Sequence, residues 1–355
     1  MVTNMLEVVV LIVSYNGRRY LDECLASVFA SDDGPLIRRV LVVDNASPDG
    51  TVAYLAESWP QVDCLASPKN LGFAGGNNLG WEEIQRRFPN AKYVALLNQD
   101  TVVASGWLRE LVEFLEKHPD TGTAQAKLLL HQQPDCFNTV GNASHFLGFG
   151  FTTAYGERDA GQYDQPQAID FPSGAAFAIA TEHLRRWGLF DASYFLYLED
   201  ADLGWKLRQL GLANMYVPTS VVYHKYEFKA DYRNYYYLER NRWWLLLVYY
   251  KLATLLLIAP ALLAMECGQL VFAAQHGVLR QKLRAYLYYG SLRTVRELWR
   301  ARRAAQRRRR IGDRAFLHSF LGRFQSIELQ GFLIRWIANP WFGGYWAVAR
   351  KMIFW

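Results

Sequence analysis

At 355 residues the chain exceeds the usual size of a single hydrophobic core, which predicts two structural units. Its net charge of +6 conceals an asymmetry, because residues 1–226 carry 17 Lys and Arg against 26 Asp and Glu, whereas residues 227–355 carry 22 against 7. This asymmetry indicates a globular unit followed by one that meets an anionic surface. The four cysteines lie far apart with no CxxC pair, which excludes a disulfide framework and a cysteine zinc site.

Hydrophobic periodicity predicts alternating strands and helices through the first hundred residues. Continuous aliphatic runs predict buried parallel strands, and apolar residues at helical spacing predict helices between them. The predicted strands are residues 7–13, 39–43, 62–65 and 93–97, and the predicted helices are residues 20–29, 51–57 and 78–88. This alternation predicts a three-layer α/β unit with a mainly parallel sheet.

After residue 226 the chain becomes apolar, aromatic and basic. Residues 252–265 carry no charge, but these fourteen residues are fewer than the roughly twenty that a spanning helix needs. Extension back to residue 245 gives 21 residues with Lys251 inside, whose long side chain could reach the membrane interface. Residues 280–314 follow with 13 Lys and Arg against two acidic residues.

These features predict a region that binds an anionic membrane, either on its surface or as a re-entrant hairpin, with a single span as the second choice. Residues 1–11 lack the pattern of a signal peptide, which predicts the cytoplasmic face of the cell membrane. Apolar residues interleaved with the arginines favour lipid over DNA, so no nucleic-acid partner is expected. A buried helical hairpin in a soluble homo-oligomer remains an open alternative.

Three of the predicted strands end directly on polar side chains, where open α/β sheets bind their ligands. These side chains are Ser14, Tyr15, Asn16, Asp44, Asn45, Asn98, Gln99 and Asp100. Residues 69–78 add three glycines and three asparagines in ten positions. Glycine lets backbone N–H groups approach an anionic ligand closely, and a cation there would neutralise the charge of the ligand, although glycine-rich loops are also common connectors.

An acidic cluster, formed by Glu199, Asp200 and Asp202, lies within a run of aromatic residues. A carboxylate that loses water among aromatic rings has a raised pKa and becomes a usable general base. The alternative is an acidic helix N-terminus, which the helix dipole favours. His224 follows 24 residues after Asp200, at the end of a further apolar run.

In this order and spacing, the motifs of residues 6–226 resemble the family-2 glycosyltransferases of the GT-A fold, and particularly their rhamnosyltransferase-like and galactofuranosyltransferase-like branch. The resemblance rests on the polar strand ends, on Lys-Asn-Leu-Gly-Phe-Ala-Gly-Gly-Asn-Asn at residues 69–78, on Glu-Asp-x-Asp-Leu at residues 199–203, and on Pro-x-x-x-x-x-His at residues 218–224. It implies a GT-A catalytic domain, Rossmann-like with a mainly parallel sheet between helices, over residues 1–226. Residues 227–355 then form a helical, basic, aromatic-rich membrane-association region.

The resemblance also implies a binding site for a nucleotide-diphosphate sugar. The implied donor-binding residues are Ser14, Tyr15, Asn16, Asp44, Asn45, Lys69, Asn70, Gly75, Asn77, Asn98 and Asp100. Asp44 would accept a hydrogen bond from the ring N–H of uracil or thymine, although it also suits a turn. Asp100 and His224 would ligate Mg²⁺ or Mn²⁺, with Asn98 as a neutral helper. Because Asn98 stands where the family has a carboxylate, weaker metal binding is expected.

By the same resemblance Asp200 is the general base of an inverting transfer, while Glu199 and Asp202 orient the acceptor or hold the loop. Asp202 could instead cap a helix over residues 205–210. The Gln-x-x-Arg-Trp signature of processive members is not found, which predicts transfer of a single sugar. The expected donor is a dTDP- or UDP-linked sugar, rhamnose first, and the expected acceptor is a lipid-linked or polysaccharide hydroxyl in cell-envelope glycan synthesis. A galactofuranosyl or other hexosyl transferase, and an inactive membrane docking subunit, are the alternatives.

Overall fold

The computed structural model of the protein describes residues 5–226, 232–325 and 331–355. They form two compact units that are interleaved along the chain. Of the described residues, the first unit comprises 5–142, 152–195 and 212–226, and the second comprises 143–151, 196–211, 232–325 and 331–355. Two segments that precede residue 226 therefore belong to the second unit. The predicted single boundary between residues 226 and 227 does not describe this division of the chain.

Strands and helices alternate up to residue 98, and strands predominate from there to residue 226. The elements are β1 (Glu7–Ser14), α1 (Arg18–Ala30), β2 (Ile37–Asp44), α2 (Thr51–Ser58), β3 (Asp63–Ala66), α3 (Gly72–Arg87), β4 (Tyr93–Asn98), β5 (Thr101–Val103), α4 (Trp107–Lys117), β6 (Thr121–Leu130), β7 (Gln133–Thr139), β8 (Asn142–Ser144), β9 (Gly150–Thr152), β10 (Gln167–Ile169), β11 (Ala176–Ala180), α5 (Thr181–Trp187), α6 (Glu199–Gln209) and β12 (Ala213–His224). The four strands predicted before residue 100 are confirmed, and their ends differ from the prediction by at most two residues.

Ten strands form one mixed sheet in the order β10-β12-β6-β11-β4-β1-β2-β3, with β5 beside β12 and β7 beside β6. Strands β3, β2, β1 and β4 run parallel to one another, whereas β11 is antiparallel to both β4 and β6. Strands β8 and β9 form a separate two-stranded sheet. The aliphatic side chains of β1 and β4 are almost fully buried, which is typical of strands covered by helices on both faces. The predicted α/β class is confirmed.

Helix α3 corrects the prediction that residues 69–78 form a loop before a helix at residue 78. The helix begins at Gly72, so most of the glycine-rich segment is helical. A Cβ at Gly80 would lie 2.4 Å from Leu11 Cδ1, and one at Gly76 would lie 2.8 Å from Val13 Cγ1. These two glycines therefore allow α3 to pack closely on β1, which is a structural reason for glycine that local sequence does not reveal.

The helices that follow residue 231 belong to the second unit. They are α7 (Tyr235–Tyr249), α8 (Leu252–Gln275), α9 (Leu279–Tyr288), α10 (Leu292–Arg308), α11 (Asp313–Phe316) and α12 (Asn339–Met352). Short 3₁₀ turns at Ala192–Tyr194 and Tyr232–Asn234 and a π-helical turn at Ile334–Ala338 complete the described elements. Within the described ranges, α8 is the one helix long and apolar enough to cross a membrane, as judged from its 24 residues and from a mean hydropathy of 2.0 over its most apolar 18 residues.

The apolar stretch over residues 245–265 is not one helix, which corrects the longer span considered from the sequence. Helix α7 ends at Tyr249, and Lys251 has extended backbone before α8 begins. The backbone N–H of Lys251 donates to Asp313 Oδ2 at 2.8 Å. Asp313 is fully buried, so this tertiary hydrogen bond satisfies an N–H at the break between the two helices.

Candidate active site

The polar residues at the ends of β1, β2 and β4 lie side by side in the first unit. Ser14 is paired in register with Asp44, and the residue before Ser14 is paired with Asn98. Parallel strands present their carboxyl ends at the same edge of a sheet, so the three side chains belong to one edge. This edge is where the sequence predicts the donor site.

Asp44 has one carboxylate oxygen that is buried and unsatisfied. The residue is 3% exposed, and its Oδ2 accepts a hydrogen bond of 3.1 Å from the backbone N–H of Ser47. Among the described residues, neither Asp44 Oδ1 nor the buried hydroxyl of Ser14 has a hydrogen-bond partner. A buried acceptor without a donor is costly, so this oxygen is suited to a ligand N–H.

Asn45 and Asn70 tie the beginning of α3 to the end of β2. The Asn45 amide donates to Asn70 Oδ1 at 3.2 Å and to the carbonyl of Gly72 at 2.9 Å, and it accepts from the N–H of Leu71 at 2.8 Å. Asn77 donates within the helix to the carbonyl of Phe73 at 2.9 Å. These contacts give Asn45, Asn70 and Asn77 a structural role at the edge of the site.

Four other predicted donor-binding residues lie at the surface of this edge or in the segment that leads into α3 and in α3 itself. Tyr15 is 45% exposed, and its backbone N–H donates to Gln99 Oε1 at 3.1 Å. Asn16 has a left-handed φ of 52°, and its N–H donates to Ser47 Oγ at 3.1 Å. Lys69 is exposed, whereas Gly75 lies inside α3, where a Cβ would meet Leu71 at 2.8 Å.

Asp100 and His224 come together as the sequence predicts. His224 ends β12 and is paired with Thr101 of β5, which brings Asp100 Oδ1 within 3.4 Å of His224 Nε2. The other ring nitrogen, Nδ1, is 2.9 Å from Asn138 Oδ1. Burial raises the pKa of Asp100, but the hydrogen bond and charge of His224 outweigh it and leave this pKa below its ordinary value. Within the described ranges, no third His, Cys, Asp or Glu joins the pair.

The acidic cluster occupies the first turn of α6 in the second unit. Glu199 is 6% exposed, and its Oε2 has no hydrogen-bond partner among the described residues. Burial, together with the negative charge of Asp200, raises the pKa of the Glu199 carboxyl to about 8. Asp202 is buried and accepts a hydrogen bond of 2.8 Å from the Tyr249 hydroxyl. Since α6 begins at Glu199, Asp202 lies inside the helix, and the alternative that it caps a helix over residues 205–210 is wrong.

A strained turn precedes this cluster. Phe195, Tyr197 and Leu198 have φ values of 61°, 68° and 66°, a left-handed conformation that residues other than glycine seldom adopt. In the second unit, the Asn241 amide of α7 donates to the carbonyls of Leu196 and Tyr197 at 2.9 and 2.7 Å. Helix α7 thus holds the turn that leads into Glu199 and Asp200.

Comparison with known proteins identifies similar sequences and a similar fold. The sequence model described as Glycosyl transferase family 2 matches residues 9–133. An N-acetylglucosaminyl-diphospho-decaprenol L-rhamnosyltransferase of Mycobacterium tuberculosis is 26% identical over 234 residues, which cover 61% of this chain and 75% of that protein. The chain is a glycosyltransferase, and these matches support its resemblance to family 2. An uncharacterised glycosyltransferase of Haemophilus influenzae is 24% identical over 130 residues, which cover 36% of this chain and 38% of that protein.

The fold of this glycosyltransferase is similar to that of GalNAc-T7, whose structure was solved with UDP, GalNAc and Mn²⁺. The two share 17% identity with a TM-score of 0.58, over 70% of this chain and 49% of the length of GalNAc-T7. At this identity the likeness concerns the fold, and it confirms the GT-A prediction. The residues matched by the family model include Ser14, Asp44 and Asp100, but not His224 or the acidic turn of α6.

Three polar residues of the glycosyltransferase contact the predicted site residues, although the sequence assigned them no role in binding or catalysis. Ser47 contacts Asp44 and Asn16, Gln99 contacts Tyr15, and Asn138 contacts His224. Ser47 and Gln99 lie within or beside motifs that the sequence already marks. Asn138 lies 86 residues from His224 and carries no sequence signal, because only the pairing of distant strands brings the two together.

Proposed function

We propose that this glycosyltransferase moves a single sugar, rhamnose first, from a dTDP- or UDP-linked donor to a hydroxyl of a lipid-linked glycan acceptor, with inversion at the anomeric carbon. The observation that carries the proposal is the unsatisfied, buried Oδ1 of Asp44 at the sheet edge that also bears Asn98. The name of the mycobacterial relative supports rhamnose as the sugar and a polyprenyl-diphosphate-linked acceptor.

In this proposal Asp44 recognises the nucleotide base through a hydrogen bond. Uracil and thymine both carry a ring N–H between two carbonyl groups, and Asp44 Oδ1 accepts a hydrogen bond from it. The bond to Ser47 keeps the other carboxylate oxygen fixed. Because both bases present the same N–H, this contact serves UDP-linked and dTDP-linked donors equally.

Asp100 and His224 suit a divalent cation, since a carboxylate oxygen and an imidazole nitrogen stand 3.4 Å apart. These two residues would hold Mg²⁺ or Mn²⁺, with Asn98 nearby on β4. When bound, the cation neutralises the negative charge of the departing nucleoside diphosphate. The hydrogen bond between His224 Nδ1 and Asn138 orients the imidazole ring toward Asp100.

Asp200 acts as the general base. The raised pKa of Glu199 keeps that neighbour protonated at neutral pH, so the negative charge of the pair resides on Asp200. As the acceptor oxygen attacks the anomeric carbon, its proton passes to Asp200, and the bond from this carbon to the diphosphate oxygen breaks on the opposite face. One displacement of this kind inverts the anomeric configuration.

The second unit binds the cytoplasmic face of the cell membrane and presents the lipid-linked acceptor. Support comes from the net charge of +15 after residue 226 and from the apolar helix α8. Each basic residue near an anionic leaflet contributes on the order of 1 kcal/mol to binding.

The test is transfer from a panel of nucleotide sugars to a polyprenyl-diphosphate-linked acceptor, with NMR of the product and excess EDTA as a second condition. We expect dTDP-rhamnose to react, the anomeric configuration to invert, and EDTA to stop the reaction. Asp200→Asn should keep donor affinity and lose on the order of a hundredfold or more in turnover. Glu113→Gln, which alters an exposed carboxylate of α4, is the matched control.

Three results would contradict parts of the proposal. Retention of configuration excludes a single displacement. Near-normal turnover of Asp200→Asn would move the role of base to Glu199 or Asp202. Donor binding without transfer to any acceptor would favour the inactive docking subunit.

A further inference from the structure

Helix α8 has two different faces. Leu252, Leu256, Leu263 and Val271 are 58–69% exposed and lie within one arc of the helix, and the other exposed positions of that arc are uncharged as well. The opposite arc, which includes Ile258, is buried within the second unit. A helix that crosses lipid alone has no such packed face, so only one side of α8 is available to a membrane.

A buried network of charged side chains connects the packed side of α8 to α7 and α9. Its members are Glu239 and Arg242 on α7, Glu266 and Gln269 on α8, and Lys282 on α9. Arg242 bonds Glu239 at 2.9 Å and also Glu266, and Lys282 bonds Glu266 at 2.7 Å and also Glu239. Gln269 donates to Glu239 Oε1 at 2.8 Å. Arg242 and Lys282 are fully buried, so two cations and two anions neutralise one another between the three helices.

The position of Glu266 is difficult to reconcile with a spanning helix. Twenty-four residues give α8 a length of about 36 Å, and Glu266 lies only about 4 Å beyond its centre. If α8 crossed a hydrocarbon core of about 30 Å, Glu266 and its partners would lie close to the bilayer midplane. Helix α9 would follow, because Lys282 is bound to Glu266, and it would carry the exposed Arg280 and Arg284 into hydrocarbon. Exposed charges at that depth are strongly disfavoured.

Resting on the membrane binding of the proposed function, we propose that the second unit binds an anionic bilayer with α8 lying along one leaflet rather than across the membrane. The uncharged face of α8 then lies in the acyl region. The surface of α10, which belongs to the same unit, favours anionic lipid as the partner. On α10 the exposed apolar residues Leu292, Val295 and Trp299 alternate with exposed arginines. Aromatic and basic side chains together suit the level of anionic headgroups.

The topology test uses the full chain in the membranes of the expressing cells. Single cysteines are introduced at the two ends of α8 as Lys251→Cys and His276→Cys, each with Cys267→Ser. They are then exposed to a membrane-impermeant maleimide in intact spheroplasts and in inverted vesicles, and labelled sites are identified by mass spectrometry. We expect both ends to react from the same side of the membrane. Reaction from opposite sides overturns the proposal, whatever the outcome for glycosyl transfer.

A second measurement tests the exposed face itself. The purified full chain is sedimented with phosphatidylcholine vesicles, with and without phosphatidylglycerol. We expect binding to the anionic vesicles, and Leu256→Glu and Leu263→Glu should weaken it by roughly tenfold or more without lowering the melting temperature. Val52→Glu, which alters an exposed apolar residue of α2, should leave binding unchanged. If the chain does not bind anionic vesicles and elutes as a stable dimer, a second copy of the chain covers the exposed face of α8. That result would refute the proposed membrane orientation.

Discussion

The substitution Asp44→Asn separates the proposed ligand-binding role of Asp44 from a role in the fold. The variant keeps the size of the side chain, and its amide oxygen can still accept the 3.1 Å hydrogen bond from the Ser47 N–H. The unsatisfied Oδ1 is replaced by an NH₂ group that cannot accept a bond from uracil or thymine. We therefore expect nucleotide affinity to fall, while the stability of the free protein does not fall.

The magnitude follows from the burial of this oxygen. A hydrogen bond to a charged group contributes about 1.5–3 kcal/mol. At about 1.4 kcal/mol for each factor of ten, the dissociation constant for UDP or dTDP should rise roughly 10- to 150-fold. In the free protein the substitution removes a buried, unpaired carboxylate oxygen, so the melting temperature should stay the same or rise.

The assay is calorimetric titration with UDP, dTDP and CDP, together with thermal unfolding without nucleotide. Wild type should bind CDP more weakly than UDP, because the corresponding ring nitrogen of cytosine carries no hydrogen, and the variant should narrow this preference. Asp135→Asn, at an exposed carboxylate of β7, is the control. Unchanged affinity for UDP and dTDP would refute base recognition by Asp44, and a melting temperature lower by several degrees would identify Asp44 as a turn-forming residue instead.

Three further substitutions test the acidic turn and the packing of α3. Asn241→Leu removes the amide that holds the strained turn before α6, so turnover should fall while the donor KM stays near that of wild type. A fall in turnover with a comparable rise in donor KM would contradict a positioning role. In wild type the raised folded-state pKa of Glu199 stabilises the fold at low pH, and this stabilisation is lost as the pH rises through about 8. Glu199→Gln should therefore make the free energy of unfolding depend less on pH between about pH 4.5 and 8. Gly80→Ala should destabilise the fold by roughly 1–3 kcal/mol through overlap with Leu11, as measured by urea unfolding, whereas Gly268→Ala, which meets no atom within 4 Å in α8, should stabilise it by up to about 1 kcal/mol.

The sequence by itself determined the secondary-structure elements whose signal lies in residues adjacent along the chain. The aliphatic runs of β1, β2 and β4 are long enough to be recognised as buried strands, and each ends on a polar residue. Once the strands are taken as parallel, their carboxyl ends must share one edge, so Ser14, Asp44 and Asn98 were predictable as neighbours. The pair formed by Asp100 and His224 followed only from the family resemblance, because 124 residues separate them.

The tertiary structure decided which of these residues have partners and where helices begin and end. Asp202 is held by Tyr249, 47 residues away, and the helix break at Lys251 depends on Asp313, 62 residues away. Helix α3 could begin at Gly72 because its glycines pack on β1, although glycine is unfavourable in an isolated helix. Local patterns report intrinsic preference and amphipathicity, whereas a buried hydrogen bond or a close backbone approach depends on groups that only the folded chain brings together.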